Sequence, residues 1–296
     1  MNEQNESAAL AAQVADLRAE GRELDALLSQ LSDADWRRAT AFKGWTIWDV
    51  VAHLHLTDHM GMSSLAGEAR FRALMKDMAS ARAPMTAYAR RWIGDISGAT
   101  LRDRWRTLLE DLCADLEATD PDVRLAWAGP GMKPRMFATA RQMETWAHGS
   151  EIYDLFGAQR RETDRIRNIV TIGVGTFGWT FANRKLEAPA PAPFVRLTAP
   201  SGAVWEWNEA QTDNCVEGRA VEFCQVVTQT RNVTRVPPLH PSAVGLMAHC
   251  SATHHRRSFR RAVARYSARF SNRWLMFRIL LPCELRRIPC MCWRKS

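Results

Sequence analysis

Glu144 and His148 stand four residues apart in the run Arg141-Gln142-Met143-Glu144-Thr145-Trp146-Ala147-His148-Gly149. On a helix that spacing puts a carboxylate and an imidazole on one face, one turn apart, as two ready ligands for a divalent metal. A third donor, His53, lies in Val50-Val51-Ala52-His53-Leu54, on what the pattern makes the core-facing side of an earlier helix. Facing helices that send ligands inward are how bundles build metal sites. A His, Glu and His set with a fourth position left to water is the arrangement of a catalytic zinc. Spacing alone leaves another reading open, because a Glu and a His four apart also occur as a solvated pair on exposed helices, and a core histidine needs no metal. His55 and His59 are again four apart but fall on a different face from His53, and are expected as a solvent-facing pair.

The elements that must position these residues are helical over the first 160 residues. Leu10, Val14, Leu17, Leu24, Leu27, Leu28 and Leu31 recur near helical spacing and predict a long amphipathic helix over 8–31. Thr46 is placed to cap a second helix, with Asp49 three residues on to complete a capping box; this helix carries His53 and runs towards Met62. A third helical region is expected from Met85 to Leu116, with Trp92, Leu101, Trp105, Leu108, Leu109 and Leu112 as its apolar positions. Residues 121–138, with Gly129-Pro130-Gly131 and Pro134, read as a loop. Thr139 and Gln142 make a second capping-box pattern for the fourth helix, and Gly157 is placed to end it as a left-handed cap.

The character changes after Ala158. A helical stretch over 164–183 leads into the stiff Ala188-Pro-Ala-Pro-Ala-Pro193 segment. Phe194 to Thr198 and Ala203 to Trp207 alternate apolar with polar residues around Pro200-Ser201-Gly202, a hairpin signal, and Val221 to Thr230 reads as a helix. The expected class is α+β: a four-helix bundle over 8–160, then a small, truncated α/β domain over 161–238, then an atypical tail over 239–296.

Charge divides at the same place. The chain carries +8, yet His240 to Ser296 alone holds eleven Arg, Lys295 and a single acid, Glu284, which leaves the body mildly acidic. A nucleic-acid partner would call for the basic stripe on the folded domain itself, so none is expected for the body. The seven cysteines are odd in number and irregularly spaced, and Cys290 and Cys292 have only one residue between them. No disulfide framework or zinc module follows, and reduced, mostly buried thiols are expected. The acidic start and the lack of a long apolar run predict a cytoplasmic chain without a transmembrane segment. Most of the twelve tryptophans are expected to be packing residues; Trp45, Trp48 and Trp146 flank the proposed ligands.

The stretch Gly44-Trp45-Thr46-Ile47-Trp48-Asp49-Val50-Val51-Ala52-His53-Leu54, together with the run from Arg141 to Gly149, resembles the metal-binding domain of mycothiol-dependent maleylpyruvate isomerase, in the DinB-like helical-bundle superfamily. Within it, the chain resembles an uncharacterised actinobacterial branch of metal-binding proteins with a Met-Glu-Thr-Trp-Ala-His-Gly run. The resemblance covers roughly residues 8 to 236, including a part similar to the sterol-carrier-like domain, seen in Val216-Glu-Gly-Arg-Ala-Val-Glu-Phe223. It implies that His53, Glu144 and His148 are the metal ligands. Many members have an Asp three residues after the second His, where this chain has Glu151, which is placed to orient His148 from the next turn.

The resemblance further implies a divalent metal, zinc by its mixed nitrogen and oxygen ligands, and mycothiol as the small-molecule thiol. The implied activity is thiol-dependent isomerisation or S-transfer. The alternative is a non-catalytic metal-binding regulator or sensor, in which His55 or a carboxylate would fill the fourth position. Lys133 and Arg135 are the cations considered for an anionic substrate, beside the plainer reading of solvated charges. The sequence leaves the oligomeric state open. Beyond Pro238 the family pattern stops. The tail is either an added basic segment presenting Trp274 to Leu281 to a membrane or acidic partner, or the product of a reading-frame slip near codon 237, which would leave it poorly ordered.

Overall fold

The computed structural model describes residues 3–183, 185–212 and 214–231. The tail expected over 239–296, with its four cysteines and the apolar run from Trp274, lies outside the described residues. The described chain forms two compact units, one reaching Thr145 and the other starting at Trp146, so that they meet inside a single helix.

The first unit is built from α1 (Glu3–Leu28), α2 (Ile47–Leu65), α3 (Glu68–Ser80), α4 (Met85–Ile93), α5 (Gly98–Glu117) and the first half of α6 (Pro134–Phe156). Thr46 caps α2 as expected: its hydroxyl accepts from the Asp49 N–H at 3.2 Å while the Asp49 carboxylate accepts from the Thr46 N–H at 3.0 Å. The stripe of α1 is buried at Leu10, Val14, Leu17, Leu24 and Leu28. It packs against α5, which also lies along α2.

Three sequence expectations are corrected here. The single helical region from Met85 to Leu116 is two helices: Gly94 leaves α4 at φ 83°, and Ser97 caps α5 by accepting from the Thr100 N–H at 3.1 Å. Apolar spacing runs through this break without registering it, and Trp92, expected inside, is 37% exposed at the end of α4. The intervening α3 was not foreseen, because Phe71 and Met78 are its only buried residues and make too thin a stripe. Finally, α6 starts at Pro134, where the missing N–H of proline would be unpaired in any helix. Thr139 and Gln142 therefore lie inside α6; the Thr139 hydroxyl donates to the Arg135 carbonyl at 2.9 Å, and the Gln142 side chain accepts from Gln13 of α1 at 2.8 Å.

Arg141 and Asp58 form a fully enclosed ion pair in the bundle core. Arg141 of α6 donates through Nε to Asp58 of α2 at 2.8 Å and through Nη2 to the Thr57 hydroxyl at 2.8 Å. The second Asp58 oxygen accepts from Trp105 Nε1 of α5 at 3.0 Å, and Thr57 passes its own proton to the His53 carbonyl at 2.8 Å. Burial pushes the Asp58 carboxyl up, and the guanidinium and the indole N–H pull against that.

The second unit begins within α6, which ends at Gly157. Gly157 is left-handed at φ 59°, its N–H reaches the Asp154 carbonyl, and the Ala158 N–H reaches Tyr153, the paired bonds of a Schellman cap. A 3-10 turn (Asp164–Ile166), α7 (Arg167–Gly175), α8 (Phe177–Ala182), β1 (Phe194–Thr198), β2 (Val204–Trp207), β3 (Cys215–Arg219) and α9 (Ala220–Val227) follow. The expected hairpin is present as antiparallel β1 and β2, pairing Val195 with Trp207 and Thr198 with Val204. Unforeseen is β3, which joins the other side of β1 in parallel to give the order β2-β1-β3. A bundle followed by a three-stranded sheet with flanking helices is an α+β fold. Cys113, Cys215 and Cys224 are buried, as expected. Among the described residues no helix is long and apolar enough to cross a membrane.

Two stability outcomes follow. A Cβ at Gly98 would stand 2.0 Å from Cδ2 of the buried Trp36 ring, so Gly98→Ala is expected to lose about 1–3 kcal/mol in urea denaturation. That exceeds the gain of at most about 1 kcal/mol that alanine offers over glycine in a helix. Asp58→Ala and Arg141→Met each leave a buried charge alone and are expected to destabilise by about 3–5 kcal/mol. The double variant should lose clearly less than the sum of the two, and strict additivity would contradict the pairing.

Candidate metal centre

The capping box fixes where α2 begins, and the Asp58–Arg141 pair fixes how α2 lies on α6. Together they decide which side chains meet. His53 is one turn before Thr57 on α2, and Glu144 is one turn after Arg141 on α6. His53 Nε2 and Glu144 Oε2 approach to 3.2 Å, with side chains 1% and 8% exposed. His148, the next turn of the same continuous helix, completes the group: His53, Glu144 and His148 are all buried and offer ligand atoms within 4.8 Å of one another. All three residues singled out from the sequence are therefore brought together.

His55 and His59 are not the solvent-facing pair expected. Both rings lie against Trp92 of α4, with centroids at 5.3 and 4.7 Å, and both are half-buried. Burial, helped by His59 and Arg104, pushes His55 down to about 4, and burial also lowers His59. The half-exposed indole is what the sequence reading lacked, since it assigned Trp92 to the core. His55 lies outside the His53, Glu144 and His148 group. Glu151 is buried one turn beyond His148 and also lies outside it. Trp146 points away: its Nε1 donates to Glu162 at 3.1 Å, and the Arg160 guanidinium stacks over its ring at 5.1 Å. Burial brings the Arg160 pKa down to about 10, while Nη1 donates to the Trp146 carbonyl at 2.7 Å and ties down this half of α6.

One wall of the site comes from the segment before α2. The Trp45 N–H bonds the Phe42 carbonyl at 2.9 Å, and Lys43 and Gly44 between them both have positive φ, 55° and 68°. That is a type I′ turn, closed by an Ala39–Thr46 bridge and by the Thr40 N–H on the Trp45 carbonyl at 2.7 Å. A left-handed φ at a residue with a Cβ costs about 1 kcal/mol or more, and only Gly44 escapes it. The turn aims Trp45 at the cluster, its ring centroid 5.5 Å from that of His53. Lys43 Nζ lies 4.6 Å from the Phe42 ring and 5.2 Å from the Trp45 ring. Sequence reasoning passed over Lys43; the signal was a Lys-Gly pair just before the helix that carries His53. Of the cations it did consider, Lys133 pairs with Asp122 at 2.6 Å, and Arg135 is exposed on the first turn of α6.

The donor set suits a divalent cation. Two imidazoles and a carboxylate are the borderline-hard nitrogen and oxygen ligands of zinc, and three protein ligands leave one position for an exchangeable group. A buried carboxylate also needs positive charge nearby, which a dication among these three atoms would supply.

The family model of the mycothiol maleylpyruvate isomerase N-terminal domain matches residues 17–153. Two uncharacterized proteins of Mycobacterium tuberculosis, from strains CDC 1551 / Oshkosh and ATCC 25618 / H37Rv, are each 38% identical over 232 residues, covering 78% of this chain and 89% of theirs. Crystal structures of the mycothiol-dependent maleylpyruvate isomerase and of a histidine-to-alanine mutant of it are 15% and 14% identical. Each covers 74% of this chain and 88% of its own, with TM-scores of 0.48 and 0.49. The chain belongs to the family of the two mycobacterial proteins, and its residues 17–153 match the mycothiol maleylpyruvate isomerase N-terminal domain.

Proposed function

We propose that His53, Glu144 and His148 hold one divalent cation, zinc by the chemistry of the set, and that the protein is a metal-dependent enzyme of thiol transfer or isomerisation whose thiol is mycothiol. The observation that carries this reading is the meeting of the three buried donors within 4.8 Å, from two helices that a buried ion pair holds in register. A bound dication supplies positive charge that keeps a thiol deprotonated at neutral pH and polarises a substrate carbonyl.

The rest is the work of the chain's own residues. His53 and His148 serve as neutral nitrogen donors, and Glu144 brings the negative charge that makes the set selective for a cation. Trp45 covers the His53 side with an apolar surface, which limits water there. The non-catalytic regulator or sensor remains the second reading. The fourth ligand it would draw from His55 is engaged instead against Trp92.

Purified protein is expected to hold about one zinc per chain, and Glu144→Ala and His148→Ala to lose most of it. Full metal content in both variants would remove the ligand assignment. Mycothiol should bind the metal-loaded protein far better than the apo form, with release of a proton and hence tighter binding as pH rises. Cobalt substitution should give a sulfur-to-metal charge-transfer band on adding the thiol. Equal thiol affinity with and without metal would move the protein to the non-catalytic reading.

A further inference from the structure

The face of α2 that carries His55 and His59 lies about 200° around the helix from His53 and takes no part in the metal reading. Both rings rest against Trp92 of α4, tilted to it by 31° and 36°, and that indole is 37% exposed. Two exposed arginines flank the rings from other helices, Arg104 of α5 acting on His55 and Arg70 of α3 acting on His59. Among the described residues neither guanidinium has a hydrogen bond or an ion pair, whereas Arg18, Arg72, Arg90 and Arg102 of the same bundle each pair with a carboxylate. No carboxylate acts on either ring. Two positive charges and two imidazoles are thus gathered around an indole with nothing negative among them.

The sense of the site follows from one atom. His55 Nδ1 is sealed from solvent and has no hydrogen-bond partner. A bare lone pair is left there at less cost than an N–H, so the ring proton is assigned to Nε2, on the open side of the half-buried ring. An imidazole that presents N–H between two guanidiniums repels a cation and receives an anion. We infer that His55, His59, Arg70 and Arg104 form a binding site for a phosphate group, free or carried on a small molecule, with Trp92 as its apolar wall. Phosphate fits better than carboxylate, because two guanidiniums match the charge of a dianion and donors arriving from three helices suit oxygens spread over a tetrahedron. The site stands whether or not the cluster at His53 holds a metal.

The test is calorimetric titration of the full-length protein with inorganic phosphate and with phenyl phosphate. Arg70→Gln and Arg104→Gln are each expected to weaken phosphate binding about tenfold, and the double variant about a hundredfold, as for loss of charge-assisted hydrogen bonds. His59→Phe keeps a ring against Trp92 without its donor and should lose several-fold. Arg106→Gln, exposed two residues further along α5 and therefore on another face, should bind as the parent does. Tighter binding of phenyl phosphate, with the advantage erased in Trp92→Ala, identifies an organic phosphate as the ligand; equal affinities identify free phosphate. Failure of the parent to bind either probe overturns the proposal, as does unchanged affinity in the double variant or an equal loss in Arg106→Gln. Affinity that disappears when the protein is treated with a chelator also overturns it, by placing the anion at the metal cluster instead.

Discussion

Asp58 and Arg141 are both withdrawn from water, and the geometry of the His53, Glu144 and His148 group depends on meeting that requirement. Each buried ion forfeits several kcal/mol of hydration, which is recovered only if nearly every donor and acceptor around it is satisfied. Satisfaction here needs Trp105 from α5, Thr57 from α2 and Arg141 from α6 in one place. An apolar seam between α2 and α6 would tolerate a slide of one turn with modest loss, whereas this pair would not. Because His53 stands one turn from Thr57 and Glu144 one turn from Arg141, the register that satisfies the ion pair is the register that joins the three donors.

The two halves of the site are built by different means. The ligands come from helix interiors, where side-chain directions are set by packing on all sides of α6; Phe137, Arg141, Gln142, Thr145 and Trp146 are all essentially sealed. The wall comes from a tight turn in which backbone bonds, rather than burial, fix direction. Turns of this kind allow a side chain to stand at the edge of a site, partly in solvent, without losing its position.

How much of this could be read from the chain depended on the range of the interactions. The Thr46 and Asp49 cap, the left-handed Gly157 and the β1–β2 hairpin are local, and each was legible because a few neighbouring residues decide it. The pairing of His53 with Glu144, 91 residues apart, was legible in its residue types and helix faces, while the family resemblance carried the ligand set. The break at Gly94 was hidden because apolar spacing continues across it, and the Thr139 cap was misplaced because Pro134 five residues earlier is an equally good start. The parallel β3 and the cover of Trp92 over His55 and His59 arise from long-range packing, for which the sequence has no periodic mark. Lys43 was passed over because its meaning lies in a positive φ that composition does not announce.

The buried cysteines bear on the reactivity of the protein's own sulfur. Burial pushes Cys113 up to about 12 and Cys224 well above the ordinary thiol range. Thiolate, rather than thiol, is the form that attacks disulfides and captures soft metals. Among the described residues, Cys113 and Cys224 are thereby disfavoured as thiolates, which lowers their reactivity in thiol–disulfide exchange and toward soft metals. Under the proposed function, an incoming thiol would meet little competition from these two side chains.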